Sequence, residues 1–298
     1  LSAGNKNQKK KRLSAEKRKK KRPSAEKRKT EKETVISGKQ KPEQTMIHIG
    51  QLDLEKKAAV VAVILEKPLE TSRKAAKMGA DLLEIRLDLL GIRDLETAVE
   101  TIRKVKSETG LPVILTNRSI KEGGKWEGRE DDRIELLTNL FFTNLISLKD
   151  GISLKDGPDA VDIELSAGRE ARDQVIKAAK ACGKTVIVSS HDFSKTPVFQ
   201  EMKTILEEAF LAGADIAKLA VMPQSRRDVL DLLRVALDAR EAGNAVCTIA
   251  MGKLGKHTRV IAPFYGSVLT YAAVDSEVSA APGQFQVDEI KKILELLE

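Results

Sequence analysis

The chain has 298 residues, 41 % hydrophobic and only 3 % aromatic, and its 52 basic and 44 acidic residues give a net charge of +8. That length holds one large domain or two average ones, and a core so poor in aromatics must be built from Val, Ile, Leu and Ala, which suits a parallel sheet covered by helices. No apolar run reaches the roughly 20 residues that span a bilayer, no apolar stretch follows the basic start as in a secretory signal, and Cys182 and Cys247 match no metal or redox spacing, so a reducing cytoplasm is the expected setting.

In chain order, residues 1–45 come first and carry all the excess positive charge. They hold 17 Lys and Arg against 5 Glu, which leaves 35 basic and 39 acidic residues for the rest of the chain. The run Lys11–Lys19 returns almost unchanged as Lys21–Lys29. With almost no apolar residues this segment cannot bury a core, and it is expected to be a disordered tail ahead of a catalytic domain over residues 46–298. It could touch RNA or another acidic surface through counterion release. A solvated extension, or a start at Met46, is the favoured reading, because charge runs are usually only solvated.

Met46–Leu54 reads as a short hairpin able to plug a barrel bottom. From there apolar runs alternate with helical patterns. The runs are Ala59–Leu65, Leu82–Leu87, Pro112–Thr116, Ala160–Leu165, Thr185–Ser189, Ile216–Ala220, Ala245–Ala250 and Ser267–Val274. Amphipathic segments lie between them at Glu70–Met78, Leu95–Glu108, Ala167–Cys182, Phe199–Ala212 and Ser225–Ala242. Gly79, Gly110, Gly183, Gly213 and Gly243 then sit where helix C-caps belong. Eight such units in about 240 residues predict an α/β fold of the closed (β/α)8 barrel type rather than an open doubly wound sheet. A tandem copy of Ile146–Gly151 at Ile152–Gly157 reads as an expanded surface loop.

Reactive groups of a parallel barrel gather at the C-terminal strand ends. The second run ends with Glu84, Arg86 and Asp88 on one face, and burying such charges unpaired would cost several kcal/mol each. They therefore form either a polar substrate site or an internal Glu–Arg pair that holds the barrel together. After the third run, Thr116–Trp126 contains Arg118 and Glu122 beside Gly123-Gly124, a loop able to swing both over a pocket. His191 directly follows the fifth run and is one of three histidines, a general base if not a structural hydrogen-bonding residue. Lys218 lies in the sixth run among Ile216, Ala217, Leu219, Ala220 and Val221. Burial there favours the neutral amine that attacks a carbonyl, unless the side chain snorkels out. Gly252–Thr258 lacks the spacing of a phosphate loop. Arg259 could clamp a carboxylate or sit at a helix end.

Together the motifs Glu84-Ile-Arg-Leu-Asp88, Asn117-Arg-Ser-Ile-Lys-Glu-Gly-Gly124, Ser190-His-Asp-Phe193, Ala214-Asp-Ile-Ala-Lys218, Thr258-Arg259 with Phe264-Tyr-Gly-Ser267, and Ala281-Pro-Gly-Gln284 resemble the type I 3-dehydroquinate dehydratase family in order over residues 46–298. The resemblance implies a cofactor-independent lyase with no metal, acting on 3-dehydroquinate as a homodimer. It implies that Lys218 forms an imine with the C3 ketone, His191 moves the C2 proton and protonates the departing C1 hydroxyl, and Glu122 tunes His191. Glu84, Arg86 and Arg118 would hold the ring hydroxyls, Arg259, Gln284 and Ser279 the carboxylate, and Met251 and Tyr271 the apolar walls. Two departures touch substrate binding. The family's Ser-Ala-Pro-Gly-Gln is here Ser279-Ala-Ala-Pro-Gly-Gln284, and the first run ends at Glu66 without a Ser or Thr. Another Schiff-base barrel, such as an aldolase, shares Lys218 but does not need His191, Glu122 and Gln284 together. A scaffold for RNA binding by the tail is the reading from a different class.

Overall fold

The structure, a computed structural model, describes residues 47–146, 157–275 and 280–298. The basic segment, Met46, the duplicated loop over 147–156 and Ser279 lie outside the described residues, so the readings placed on them are not addressed by the fold. The described residues belong to one compact unit.

Strands β1 (His48–Ile49) and β2 (Leu52–Asp53) make the expected antiparallel hairpin. Eight parallel strands follow: β3 (Ala59–Ile64), β4 (Leu82–Arg86), β5 (Val113–Thr116), β6 (Ala160–Glu164), β7 (Thr185–Asp192), β8 (Ile216–Val221), β9 (Val246–Ala250) and β10 (Leu269–Ala272). They pair in the order β10-β3-β4-β5-β6-β7-β8-β9. A parallel bridge between Val246 and Ser267, with Val268 N–H donating to the Val246 carbonyl at 2.8 Å, brings the two ends together into a nearly closed barrel.

Alternation along each strand makes two apolar layers. Val60, Ala62 and Ile64 of β3, Leu83 and Ile85 of β4, and Ala217, Leu219 and Val221 of β8 face outward and pack under the helices. Val61, Leu82, Ile114, Ile187 and Ile216 face inward and fill the barrel. Burial on both faces explains why these strands read as continuous apolar runs instead of alternating ones. Ile49 and Leu54 of the hairpin join the inner layer. The Thr185 hydroxyl at the start of β7 donates to the His48 carbonyl, so the hairpin covers the N-terminal end of the barrel and leaves the C-terminal end open.

The helices start and stop where local chemistry directs. Asp94 caps Leu95–Thr109 by accepting from Thr97 N–H at 2.8 Å, and Ser225 with Asp228 forms a capping box ahead of Arg226–Glu241. All five glycines expected as caps have positive φ, from 65° at Gly183 to 107° at Gly213. Most strand boundaries differ from the sequence reading by a residue or more, and three of these differences matter here. β7 runs three residues further than Ser189, because Ser190, His191 and Asp192 keep pairing with Leu219, Ala220 and Val221. β4 stops at Arg86 and a helical turn begins at Leu87, which moves Asp88 off the strand face expected for it. The last strand is shorter, Leu269–Ala272, with a single bridge beyond it at Ala273. A helix over Glu130–Ile146 was not legible as an amphipathic segment, because the apolar pairs Leu136-Leu137 and Leu140-Phe141 blur its stripe. Cys247 is buried and Cys182 half-buried; both are free thiols.

Candidate active site

Toward the open end the inward positions change from apolar to polar. Glu84 and Arg86 on β4, Thr116 on β5, Asp162 and Glu164 on β6, Ser189 on β7 and Lys218 on β8 are all buried. So many buried polar groups persist only if each has a partner. Beside them is a cavity. Its wall includes Lys218, His191, Glu122, Glu84, Arg86, Arg118, Arg259, Gln284, Met251 and Tyr271. The site residues implied by the family resemblance thus meet at one place, except Ser279, which lies outside the described residues; Asp88 is not on the wall but holds Arg86. Ala280 lines the cavity, and its N–H donates to the Gln284 Oε1 at 3.0 Å.

Lys218 does not stand among apolar groups alone, as its sequence neighbours suggested. Its Nζ lies 2.8 Å from Asp162 Oδ2 and 3.7 Å from Glu84 Oε1, and 4.0 Å from the centre of the Tyr271 ring. Of those neighbours Ala217, Leu219 and Val221 face the helices, while Ile216 and Ala220 share the inward face with the amine, which is 5 % exposed. Burial alone would raise the Asp162 carboxyl, but Arg118 and Lys218 beside it hold it well below the usual carboxylate range. Asp162 Oδ1 also takes the Arg118 guanidinium at 2.9 Å and the Ser189 hydroxyl at 2.6 Å.

Glu122, at the end of a 3-10 turn over Ile120–Glu122, reaches His191 on β7. Its Oε2 sits 2.8 Å from Nδ1 of the imidazole and accepts the His191 backbone N–H at 3.0 Å. An oxygen already accepting one N–H is poorly placed to carry a proton, so Nδ1 is the donor and Nε2 is left with a free lone pair. Burial, together with the positive charges of Arg118 and Lys218, pulls the imidazole well below its ordinary value, so it stays neutral near pH 7. Burial pushes the Glu122 carboxyl up to about 7.

The three cavity arginines differ in their company. Arg86 is held by Asp88 through Nε at 2.9 Å and Nη2 at 2.8 Å, so its partner is the aspartate and not the glutamate weighed from the sequence. Arg118 is held by Asp162 and, at 3.1 Å, by Glu164. Arg259 is buried with only carbonyls beside it, those of Gly283 at 3.0 Å, Tyr271 at 3.2 Å and Pro282 at 3.4 Å. Among the described residues no carboxylate balances it, and burial lowers it to about 10. A guanidinium so placed is suited to an incoming anion. Asp162, Glu164, Ser189 and Ser166 were missed from the sequence. The alternation Ala160-Val-Asp162-Ile-Glu164 carried the same signal that singled out Glu84 and Arg86.

Comparison with known proteins places this geometry. The family described as type I 3-dehydroquinase matches residues 58–298. A 3-dehydroquinate dehydratase of Methanosarcina barkeri is 90 % identical over 253 residues, which cover 85 % of this chain and 100 % of that protein. A crystal structure of 3-dehydroquinate dehydratase from Geobacillus kaustophilus has a TM-score of 0.72 at 31 % identity, covering 81 % of this chain and 91 % of that one. A type I enzyme from Clostridium difficile with covalently modified comenic acid has a TM-score of 0.76 at 27 % identity, covering 85 % and 98 %.

The loop carrying Arg118 and Glu122 is packed too closely to accept a side chain at Gly124, where a Cβ would fall 1.9 Å from the Arg118 carbonyl oxygen. Gly124→Ala must therefore shift the loop, at a cost of about 1 kcal/mol or more. The only tryptophan, Trp126, is buried two residues downstream with Nε1 donating to the Arg129 carbonyl at 3.0 Å. Its emission should shift to the red in the variant while far-UV circular dichroism is unchanged. Unchanged emission would show that the loop absorbs the methyl group in place.

Proposed function

Because the chain belongs to the type I 3-dehydroquinase family, its activity is the dehydration of 3-dehydroquinate, a step of the shikimate route to aromatic amino acids, and we propose that Lys218 carries the reaction as an imine. The supporting observation is a buried amine and a neutral imidazole, on neighbouring strands, lining one cavity. The Lys218 amine adds to the C3 ketone and water leaves, giving a protonated imine. The amine's neighbours Asp162 and Glu84 then face the imine cation, so the electron sink is balanced without rearranging side chains. Nε2 of His191 takes the C2 proton and the electrons pass into the imine. The same imidazolium returns a proton to the C1 hydroxyl, which departs as water on the same face. Hydrolysis of the imine releases 3-dehydroshikimate and frees Lys218.

Arg259, lacking a carboxylate of its own, is the group for the substrate carboxylate, with Gln284 beside it. Ser279 belongs to the same proposal, but it lies outside the described residues. Glu84, Arg86 and Arg118 offer polar atoms to the ring hydroxyls, and Met251 and Tyr271 supply apolar wall. His191, Glu122 and Gln284 in one cavity favour dehydration over an aldol cleavage, which needs only the lysine. The family likeness extends the proposal to a homodimer in the cytoplasm, and a solution mass of a single chain would remove the dimer. No helix among the described residues is long and apolar enough to cross a membrane.

The enzyme should convert 3-dehydroquinate with rising enone absorbance. His191→Ala should lose roughly 10²–10⁴-fold in kcat, the usual worth of a positioned acid–base group, yet still yield a borohydride-trapped adduct. Near-normal turnover in that variant would remove His191 from proton transfer, and turnover of an aldol substrate without any enone would favour the aldolase reading. The pH profile gives a second test. A carboxyl raised to about 7 is ionised only above that value. Rate should therefore hold above pH 7 and fall as pH drops through it, when Glu122 gains a proton and no longer draws the Nδ1 hydrogen. Glu122→Gln should be slower and should lose this acid limb. A limb that persists in the variant would assign it to another group.

A further inference from the structure

Among the described residues, the barrel unit built on β6 is alone in placing nothing on the cavity wall. Every other unit contributes, through Val63, Glu84, Arg118, His191, Lys218 and their neighbours. The β6 residues instead hold the side chains that do line it. Asp162, Glu164 and Ser166 are spaced two apart. Asp162 pairs with Lys218, Glu164 with Arg118, and the Ser166 hydroxyl donates to Glu122 Oε1. The first two are buried ion-pair partners. Ser166 lies in the turn just past β6, at the rim.

Resting on the imine reading above, we propose that Ser166 is a positioning residue, which keeps Glu122 an ionised acceptor and so keeps the His191 Nε2 lone pair free for the substrate proton. The two oxygens of Glu122 are used differently. Oε2 takes both donors of His191, so Oε1 is the oxygen on which a proton would settle. The Ser166 hydroxyl donates to that oxygen. Charged groups face the carboxylate from three elements. Arg118, from its own loop, favours the ionised form, as do the two His191 donors from β7. Burial opposes it, and so do the negative charges of Glu164 and Asp162 on β6. Against that opposition a hydroxyl donor is a sizeable share of what holds the charge, since hydrogen bonds to ionised groups are the stronger kind.

The backbone aims this hydroxyl. Leu165 N–H donates to the Ser189 carbonyl at 2.7 Å, Arg172 donates to the Leu165 carbonyl at 2.9 Å, and Ala167 N–H donates to the Glu164 carbonyl at 3.2 Å. The turn is thus pinned on both sides of Ser166. Because the residue is exposed, truncating it removes one donor without opening a cavity in the core.

The test is kcat against pH with 3-dehydroquinate for the full chain and for Ser166→Ala and Ser166→Thr. In Ser166→Ala the acid limb should move up by about half to one pH unit, from the loss of one charge-assisted donor. At one pH unit below the unsubstituted chain's midpoint this is a further loss of about 3- to 10-fold. The rates should converge at high pH, where Glu122 is ionised in both, and Ser166→Thr should restore the limb. An unmoved limb, or a loss equal at every pH, would overturn the role of Ser166 while the imine reading stands. Absence of any enone from the unsubstituted chain would overturn that reading and this proposal with it.

Discussion

A lysine amine buried inside a ring of parallel strands needs a polar partner, and here that partner is the Asp162 carboxylate. Its two oxygens face Lys218 at 2.8 Å and Arg118 at 2.9 Å, with both side chains and the aspartate almost fully buried. Breaking such a pair by removing one member typically costs 3–5 kcal/mol, because the survivor is left buried and unpaired. Two other buried arginines are paired in the same way. Arg86 has Asp88, and Arg133, wholly buried, has Glu164 and Glu130. Arg259 departs from this pattern, with carbonyls alone around it. In the function proposed above, this vacancy in the charge balance is the place for the anionic group of the substrate.

The same charges set the acid–base pair. Lys218 and Arg118 face the imidazole and keep His191 neutral, as a base must be. Burial raises Glu122 at the same time, so its proton affinity lies near neutrality and its hold on Nδ1 responds to pH in the working range. One electrostatic field therefore gives three outcomes: an oriented amine, an unprotonated imidazole and a carboxylate poised to change state. The hairpin at the opposite end supports this indirectly, because Ile49 and Leu54 complete the apolar inner layer and leave one entrance.

Much of this was legible in the sequence, for physical reasons that can be named. Strands buried on both faces give unbroken runs such as Ala59–Ile64 and Ile216–Val221, and glycine caps mark the helix ends. A lysine in an apolar run, and charges alternating at Glu84 and Arg86, stood out because they contradict their surroundings. What escaped notice needed the third dimension. Asp162 and Glu164 show the same alternation as Glu84 and Arg86, but they touch no cavity wall and belong to no motif used for the family likeness. The apolar environment inferred for Lys218 was that of its chain neighbours, of which Ala217, Leu219 and Val221 face the helices; the polar partners that matter come from β4 and β6. The end of β4 was misplaced because Leu87 continues the apolar run and only the turn reveals the helix.

The most direct measurement of the central claim is peptide mapping after borohydride reduction in the presence of 3-dehydroquinate. The stable adduct should be found on the peptide containing Lys218, and Lys218→Ala should give neither adduct nor turnover. An adduct on another lysine, or full turnover by Lys218→Ala, would contradict it.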